Sequence, residues 1–398
     1  MKRKLHALIA GGGIGGLTAA LALQQRGFTV SVFEKVPELR EIGAGFHCTP
    51  NGTRVLYALG LKQAIERVEV RLADRDIRLW SSGRVWRLAG HGGESESRYG
   101  APYLLFHRGD LHSILVEAVR DRQPDALQVN ARCTGFRLDG SKVVLQLDGG
   151  PEVDGDVLIG ADGVHSTVRQ QLFGRDNPHF TGEIAWRGLV PLERLPQRMR
   201  GKVTSNWIGP NGSVTVYPVR RGELVNFVGL VERDDWRVES WIQQGSIGEC
   251  ERDFSGWHDD VHTLIRNIET PFKWALFLRE PLLKWSVGPV TLLGDACHAT
   301  TPYLGQGANM AIEDAFILAR CLSEDPDIVS ALRRYEDARR VRTTNIVLKS
   351  SEQSKRIHDP ILADPVAAVD YIETNWAPEK IKGRYDWIFE YDAVRVSI

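Results

Sequence analysis

Between Leu5 and Glu34 the chain reads as an apolar strand, LHALIA, then a glycine turn, Gly11-Gly12-Gly13-Ile14-Gly15-Gly16, a helix of small and apolar residues, and a second strand, TVSVF, closed by Glu34. A GxGxxG turn (Gly11, Gly13, Gly16) between strand and helix, with an acid about 20 residues on, is the order a dinucleotide-binding βαβ unit requires. Gly11 allows a tight exit from the strand, and Gly13 lets backbone approach a pyrophosphate at the positive end of the helix. Gly16 lets helix and strand pack closely, and Gly15 belongs to the same cradle. Glu34, with Lys35 beside it, is placed to accept hydrogen bonds from ribose hydroxyls. Its charge disfavours a 2′-phosphate, so the motif selects FAD or NAD over NADP.

The chain has 398 residues, enough for two intimately packed domains around a large cofactor. A net charge of −1, with Lys and Arg scattered, gives no nucleic-acid or acidic-surface footprint. Five widely spaced cysteines without a CxxC pair argue against a zinc site or a redox dithiol, and predict free thiols in a reducing compartment and no metal. The short basic start enters a strand directly, and no run approaches 18 apolar residues. A soluble cytoplasmic protein, without membrane or nucleic-acid partners, is expected.

Further along, a glycine-rich loop (Gly43, Gly45) precedes a helix beginning near Pro50-Asn51. Residues 76–87 predict two strands around a Ser-Gly turn, and HRGDLHSILVEAVR a helix. From Leu127 to Ile159 the chain predicts a meander turning at Asp139-Gly140 and Asp148-Gly149, ending in the apolar VLIGADG. Residues 178 to about 275 alternate in strand fashion and predict a second, largely antiparallel sheet, taken as a substrate layer. VTLLGDACH returns to a buried strand. The helix after it carries Ala311, Ala315, Leu318 and Leu322 on one face. The expected division is 1–72, 99–177 and 276–325 for a discontinuous cofactor domain, 73–98 and 178–275 for the substrate sheet, and 326–398 for a mostly helical C-terminal region.

Three glycine-acid motifs therefore end three apolar strands: the GxGxxG with Glu34, then Asp162-Gly163-Val164-His165-Ser166 with Arg169, and Gly294-Asp295. Together they resemble the class A single-component FAD-dependent aromatic hydroxylases, related to salicylate, 3-hydroxybenzoate and 6-hydroxynicotinate hydroxylases, over nearly the whole chain. The resemblance implies an α/β fold of para-hydroxybenzoate-hydroxylase type: a Rossmann-like, glutathione-reductase-type FAD domain, an inserted antiparallel substrate sheet and a helical C-terminus. It implies tightly but non-covalently bound FAD, with Asp162 and Gly163 bridging its pyrophosphate and the nicotinamide, Asp295 on the ribityl chain and Arg108 beside the phosphate and ribityl region. Gly45 belongs to the loop over the cofactor. Pro302 and the turn Gly305, Gln306, Gly307, Ala308, Asn309 would lie against the isoalloxazine ring, where helix amides face developing negative charge. With no second nucleotide unit in the sequence, NADH or NADPH is expected as a transient co-substrate. The family also allows a homodimer.

The activity implied is hydroxylation, with NAD(P)H and O2, of a phenolic aromatic or heteroaromatic acid through a flavin C4a-hydroperoxide. That chemistry needs a base near a phenol and a dry pocket. His47 stands where 6-hydroxynicotinate-type enzymes carry a histidine, and an ordinary pKa near 6.5 would make it a base at neutral pH. Tyr217 matches a substrate-contacting tyrosine, and Ser213 replaces a histidine that some relatives carry four residues earlier. Tyr103, Ser213 and Gln306 are further pocket candidates. Arg187 and Arg220 lie on the substrate sheet without one being selected to bind a carboxylate. Trp80, Trp186 and Trp207 read as core, and His298 as structural. Two alternatives stay open at this point: an FAD monooxygenase or epoxidase acting on a quinone or isoprenoid, and a non-catalytic flavin-binding sensor.

Overall fold

The computed structural model describes residues 4–39, 44–88, 93–240 and 243–398, so Gly43 lies outside the described residues. Its first layer is a six-stranded sheet. His6–Ala10 lies between Thr29–Phe33 and Val157–Gly160, extended by Leu127–Gln128 on one side and by Val290–Leu292 and Ser286–Val287 on the other. All pairings are parallel except the terminal hairpin. Ala7 to Ala10 and Val157 to Ile159 are fully buried, as continuous apolar runs covered on both faces require. The helix Ile14–Gln25 leaves the first strand through Gly11, whose φ of +109° no L-side chain adopts comfortably. At Gly16 a Cβ would stand 2.0 Å from the Gly11 carbonyl oxygen, so the helix can approach its strand only with glycine there.

The second layer is a seven-stranded sheet in the order Phe272–Leu278, His179–Pro191, Leu224–Glu232, Gly212–Val219, Val203–Gly209, Asp74–Leu79, Val85–Arg87. It is antiparallel except where Val203–Gly209 runs parallel to Asp74–Leu79. Its side chains alternate as a half-covered sheet demands. Trp186, Trp207, Val214 and Phe227 pack with Phe254, Val261 and Ile265 in a closed apolar cluster, whereas Arg187, Asn206, Thr215, Tyr217 and Val228 line a cavity on the other face. A small sheet, Gly45–Cys48 against Leu104–His107 and Val70–Arg71, completes the strand architecture that faces the cavity.

Several expectations are corrected. Only Cys133–Gly155 forms the meander; Val157–Gly160 joins the parallel sheet as a fully buried apolar strand, and Leu127–Gln128 joins its edge, half-buried to exposed. The second sheet runs through Leu278, past the expected boundary at 275. Two helices, Ile247–Asp253 and Asp259–Arg266, cover its outer face where only strands were predicted, each with a side-chain N-cap, Ser246 and His258. All five cysteines are free, four of them buried. No helix among the described residues is long and apolar enough to cross a membrane.

The C-terminal region is dominated by the 30-residue helix Ile328–Ile357, which packs along Gly307–Glu324. Charged side chains join the two in the dry interior. Arg339 donates to Asp314 at 2.7 Å and to Glu313 at 2.5 Å, with all three 0% exposed. Arg342 donates to Glu313 at 2.8 Å, and His298 Nε2 lies 2.5 Å from Asp314. Burial alone would raise both carboxyls, but Arg342 and Arg339 outweigh it at Glu313, and His298 and Arg339 at Asp314, so both stay below the usual carboxylate range. Removing one partner of such a network leaves uncompensated buried charge. Arg339→Met is therefore expected to lower the unfolding free energy by about 3–5 kcal/mol, read by denaturant titration at pH 7. The deficit should shrink as pH is lowered, because protonating Glu313 and Asp314 removes the negative charge that Arg342 and His298 alone leave incompletely compensated. A deficit that is flat with pH would contradict this origin.

Candidate active site

A cavity of about 400 Å³ lies between the two layers. It begins at the glycine turn, passes the ends of the parallel strands and finishes against the second sheet and the C-terminal helices. At its first end lie Gly13, Ile14 and Gly15, joined by Arg108, Gly163 and Val164. A Cβ on Gly13 would meet no heavy atom within 4 Å, so bare backbone faces open space there. Glu34 accepts from the Gly12 amide at 2.8 Å and from the Val36 amide at 3.2 Å, which fixes its carboxylate beside the turn. Lys35 is exposed and does not line the cavity.

The middle of the cavity is walled by Gly294 and Asp295, and by the turn Pro302 to Ala308, which includes Gly305 and Gly307. Asp295 is exposed, at the start of Asp295–His298, and Gly305 takes φ +63° before the helix Gly307–Glu324. The lining fits a long, flat dinucleotide: open glycine backbone and an arginine at one end, Asp295 and a glycine-rich helix start further on, with Glu34 beside the glycine turn but outside the lining.

Two cofactor expectations change in detail. The Asp162 carboxylate accepts from the Ser166 hydroxyl at 2.5 Å and the Thr167 amide at 2.7 Å, capping the helix Thr167–Phe173. It is Gly163 and Val164 that line the cavity, so the acid shapes the turn and the wall is backbone. Asn309 is fully buried and serves as a staple, donating to the carbonyls of His47 at 2.8 Å and Gly305 at 2.9 Å and accepting from the Thr49 amide.

At the far end, His47 Nδ1 lies 2.9 Å from the Tyr103 hydroxyl, and its ring meets Tyr217 edge-on with centroids 4.1 Å apart. Gly45 sits under the same tyrosine: a Cβ there would come within 2.5 Å of the Tyr217 ring, so this glycine is required by packing. Its amide donates to Asn226 at 2.7 Å, tying the loop to the second sheet. His47 is surrounded by protein, and burial first, then the Arg75 cation, push its pKa down to about 3. The expectation of an ordinary histidine pKa near 6.5 is thereby corrected: the ring is neutral at pH 7 and a weaker base than a free imidazole. Burial pushes Tyr103 up to about 12 and Tyr217 higher still, so both phenols keep their protons.

Other expected pocket residues sit differently. Ser213 does not line the cavity; it is buried at the end of its strand, 2.9 Å from His358 Nε2. Gln306 lines the cavity as expected, and its side chain also accepts from Asn51 at 3.1 Å and donates to Thr49 at 3.1 Å, so its amide is held by the helix start at Pro50. Arg220 is exposed and pairs with Asp110 at 3.0 Å. Arg187, by contrast, is buried and lines the cavity, with its guanidinium over Trp274 and Phe272. Arg75, Thr204, Tyr385 and Phe389 also line it and were not foreseen. In DRDIRL the strand period separates Arg75 from Asp76 but does not say which of them faces a cavity. Tyr385 and Phe389 come from a helix whose sequence carries no active-site signal.

Comparison with known proteins gives one answer. The FAD binding domain family matches residues 4–350. 3-Amino-4-hydroxybenzoate 2-monooxygenase of Streptomyces platensis is 39% identical over 353 residues, 88% of each chain. 3-Hydroxybenzoate 6-hydroxylase of Polaromonas naphthalenivorans is 35% identical over 398 residues, 98% of this chain and 96% of the relative. Klebsiella pneumoniae HpxO, solved with FAD and uric acid, superposes with a TM-score of 0.83 at 30% identity over 97% of both chains. With a cavity shaped for FAD and relatives matched nearly end to end, the chain belongs to the FAD binding domain family and is a class A FAD-dependent monooxygenase.

Proposed function

We propose that the protein hydroxylates a phenolic aromatic or heteroaromatic acid, using NADH or NADPH and O2. The observation that carries this is the junction of His47, Tyr103 and Tyr217 beside the Gly305 turn, where a Cβ on Gly305 would lie 3.7 Å from that of His47. A proton acceptor and two protonated phenols thus meet the cofactor turn in an aromatic enclosure. The substrates named for the 39% and 35% identical relatives, both hydroxybenzoates, support the same class.

Bound FAD supplies the chemistry of taking reducing equivalents from the nicotinamide and activating O2 for transfer of one oxygen atom to the ring. Arg108, Asp295 and the Gly13, Gly163 and Gly305–Ala308 backbone would hold it; Glu34 would take the ribose. In the tautomer whose Nδ1–H donates to the Tyr103 oxygen, His47 has Nε2 to accept the proton of a ring hydroxyl, which raises the electron density of the carbon to be attacked. Tyr217 stays protonated and donates to the substrate, while its ring and that of Phe389 exclude water. Burial is the larger cause of the low His47 pKa and Arg75 the smaller; an incoming anion offsets the Arg75 part and to that extent makes the imidazole a better base.

The division into cofactor domain, substrate sheet and helical C-terminal region is supported by sheet membership, with the substrate sheet carried on to Leu278. Free thiols favour a reducing compartment, here the cytoplasm, with a homodimer as the assembly to be tested by sedimentation.

The deciding measurement is a screen of 3-hydroxybenzoate, 3-amino-4-hydroxybenzoate, salicylate and 6-hydroxynicotinate, scoring ring-hydroxylated product and hydrogen peroxide separately. At least one acid should both stimulate NAD(P)H oxidation and be hydroxylated; peroxide alone from every acid would reject the proposal. His47→Gln should lower hydroxylation about 10²- to 10⁴-fold with FAD content unchanged, and loss of FAD instead would remove its assigned role. For Tyr217→Phe a smaller loss, about 10-fold in kcat/KM, is expected because one neutral hydrogen bond is removed.

A further inference from the structure

The cavity-facing side of the second sheet carries two guanidinium groups, and strand register fixes their places. Arg75 lies opposite Thr204 across the parallel pair Asp74–Leu79 and Val203–Gly209. Arg187 lies opposite Val228, which faces Thr215, which in turn faces Asn206. Four strand-to-strand steps therefore separate the strands of the two arginines, about 19 Å at the usual spacing. The two side chains also turn to different partners, Arg75 to the Tyr385 ring and Arg187 to the rings of Phe272 and Trp274, so each arginine has surroundings of its own.

Arg75 is the one next to the His47 junction. It is 8% exposed, its guanidinium lies 5.2 Å from the centre of the Tyr385 ring, and its charge acts on both Tyr103 and His47. No ion pair joins it to a carboxylate of the described residues; the phenols of Tyr103 and Tyr385 are the groups that support its charge. The neighbouring Asp76 pairs with Arg78 instead. Beside Arg75, the Thr204 hydroxyl is 1% exposed, lines the cavity and has no hydrogen-bond partner among the described residues. A buried cation without a counter-ion and a buried hydroxyl without a partner are both costly in isolation. One ligand group satisfies both: a planar carboxylate, which a guanidinium binds through two parallel N–H donors.

We propose that Arg75 and Thr204 form the anion subsite that holds the substrate carboxylate, placing the ring against His47 and Tyr217. This rests on the substrate being an aromatic acid. Arg187, at the other end of the sheet, is left outside the subsite. The same charge then sets specificity, since phenols without an acid group leave Arg75 and Thr204 uncompensated.

The test is titration of the FAD-loaded enzyme with 3-hydroxybenzoate and with the uncharged, nearly isosteric 3-hydroxybenzamide, followed by the flavin absorbance change. Wild type should bind the acid about 10-fold or more tighter than the amide. Arg75→Gln should weaken the acid by about 10- to 100-fold and the amide by less than about 3-fold, removing the preference. Arg75→Lys should restore part of it, and Thr204→Val should weaken the acid by about 3- to 10-fold. If Arg75→Gln does not retain FAD, the lysine and valine variants decide on the same acid-to-amide ratio. Retention of the preference in Arg75→Gln, or its loss in Arg187→Gln instead, overturns the assignment while leaving the aromatic-acid proposal standing. A wild type that hydroxylates the amide and not the acid overturns both.

Discussion

The position of the active site depends on a group of charges that is almost entirely buried. Glu313 and Asp314, adjacent on the helix Gly307–Glu324, can be ionised in the interior only because Arg339, Arg342 and His298 close around them. Asn51 donates to Glu313 at 2.6 Å, and Arg342 reaches the carbonyls of Trp387 and Ile388. The helix is thereby locked to its neighbours on three sides, and its rotation decides where its first turn points. That turn is Gly305 to Ala308, a wall of the cavity. Buried ion pairs add little net stability over a well-packed apolar interface, but a misregistered helix would strand several charges at once. Register, more than stability, is what such a network supplies here.

From that helix the constraint passes outward through neutral hydrogen bonds. Asn309 clamps the His47 carbonyl and the Thr49 amide, and Gln306 clamps Asn51 and Thr49. The strand Gly45–Cys48 is therefore held at both ends: by these amides and, through the Gly45 amide, by Asn226 of the second sheet. His47 owes its place to side chains from the cofactor layer and the substrate layer together. Its chemistry follows from that placement. An imidazole buried among aromatic rings and near a guanidinium is neutral, with burial the larger cause and the cation the smaller.

Some functional expectations from sequence changed role without changing place. Asp162 stands at the predicted turn, yet its carboxylate caps a helix and leaves the backbone of Gly163 to face the cavity. Gly45 lines the cavity, but because Tyr217 leaves no room for a side chain. Asn309 and Gln306 lie in the predicted turn and spend their side chains on scaffolding. Ser213 faces His358 at a strand end, which a one-dimensional comparison with a relative's histidine had no means to show. The two helices Ile247–Asp253 and Asp259–Arg266 were missed because short helices between strands carry few residues of periodic signal.

The sequence by itself determined what is encoded in local chemistry: the GxGxxG turn with Glu34, the apolar strands buried on both faces, the alternating second sheet, the glycine-rich helix start at Gly305–Ala308 and, through their order, a flavin-binding α/β chain. These are legible because glycine conformations, hydrophobic periods and strand lengths are properties of contiguous residues. Only the tertiary structure decided which polar groups face the cavity. Arg75, Thr204, Tyr385 and Phe389 come from segments far apart in the chain, and His47 is held neutral first by the burial that the closed layers impose and then by a guanidinium on another sheet. Desolvation and cross-sheet register act between elements, so the charge that selects the substrate emerges only when the layers close on one another.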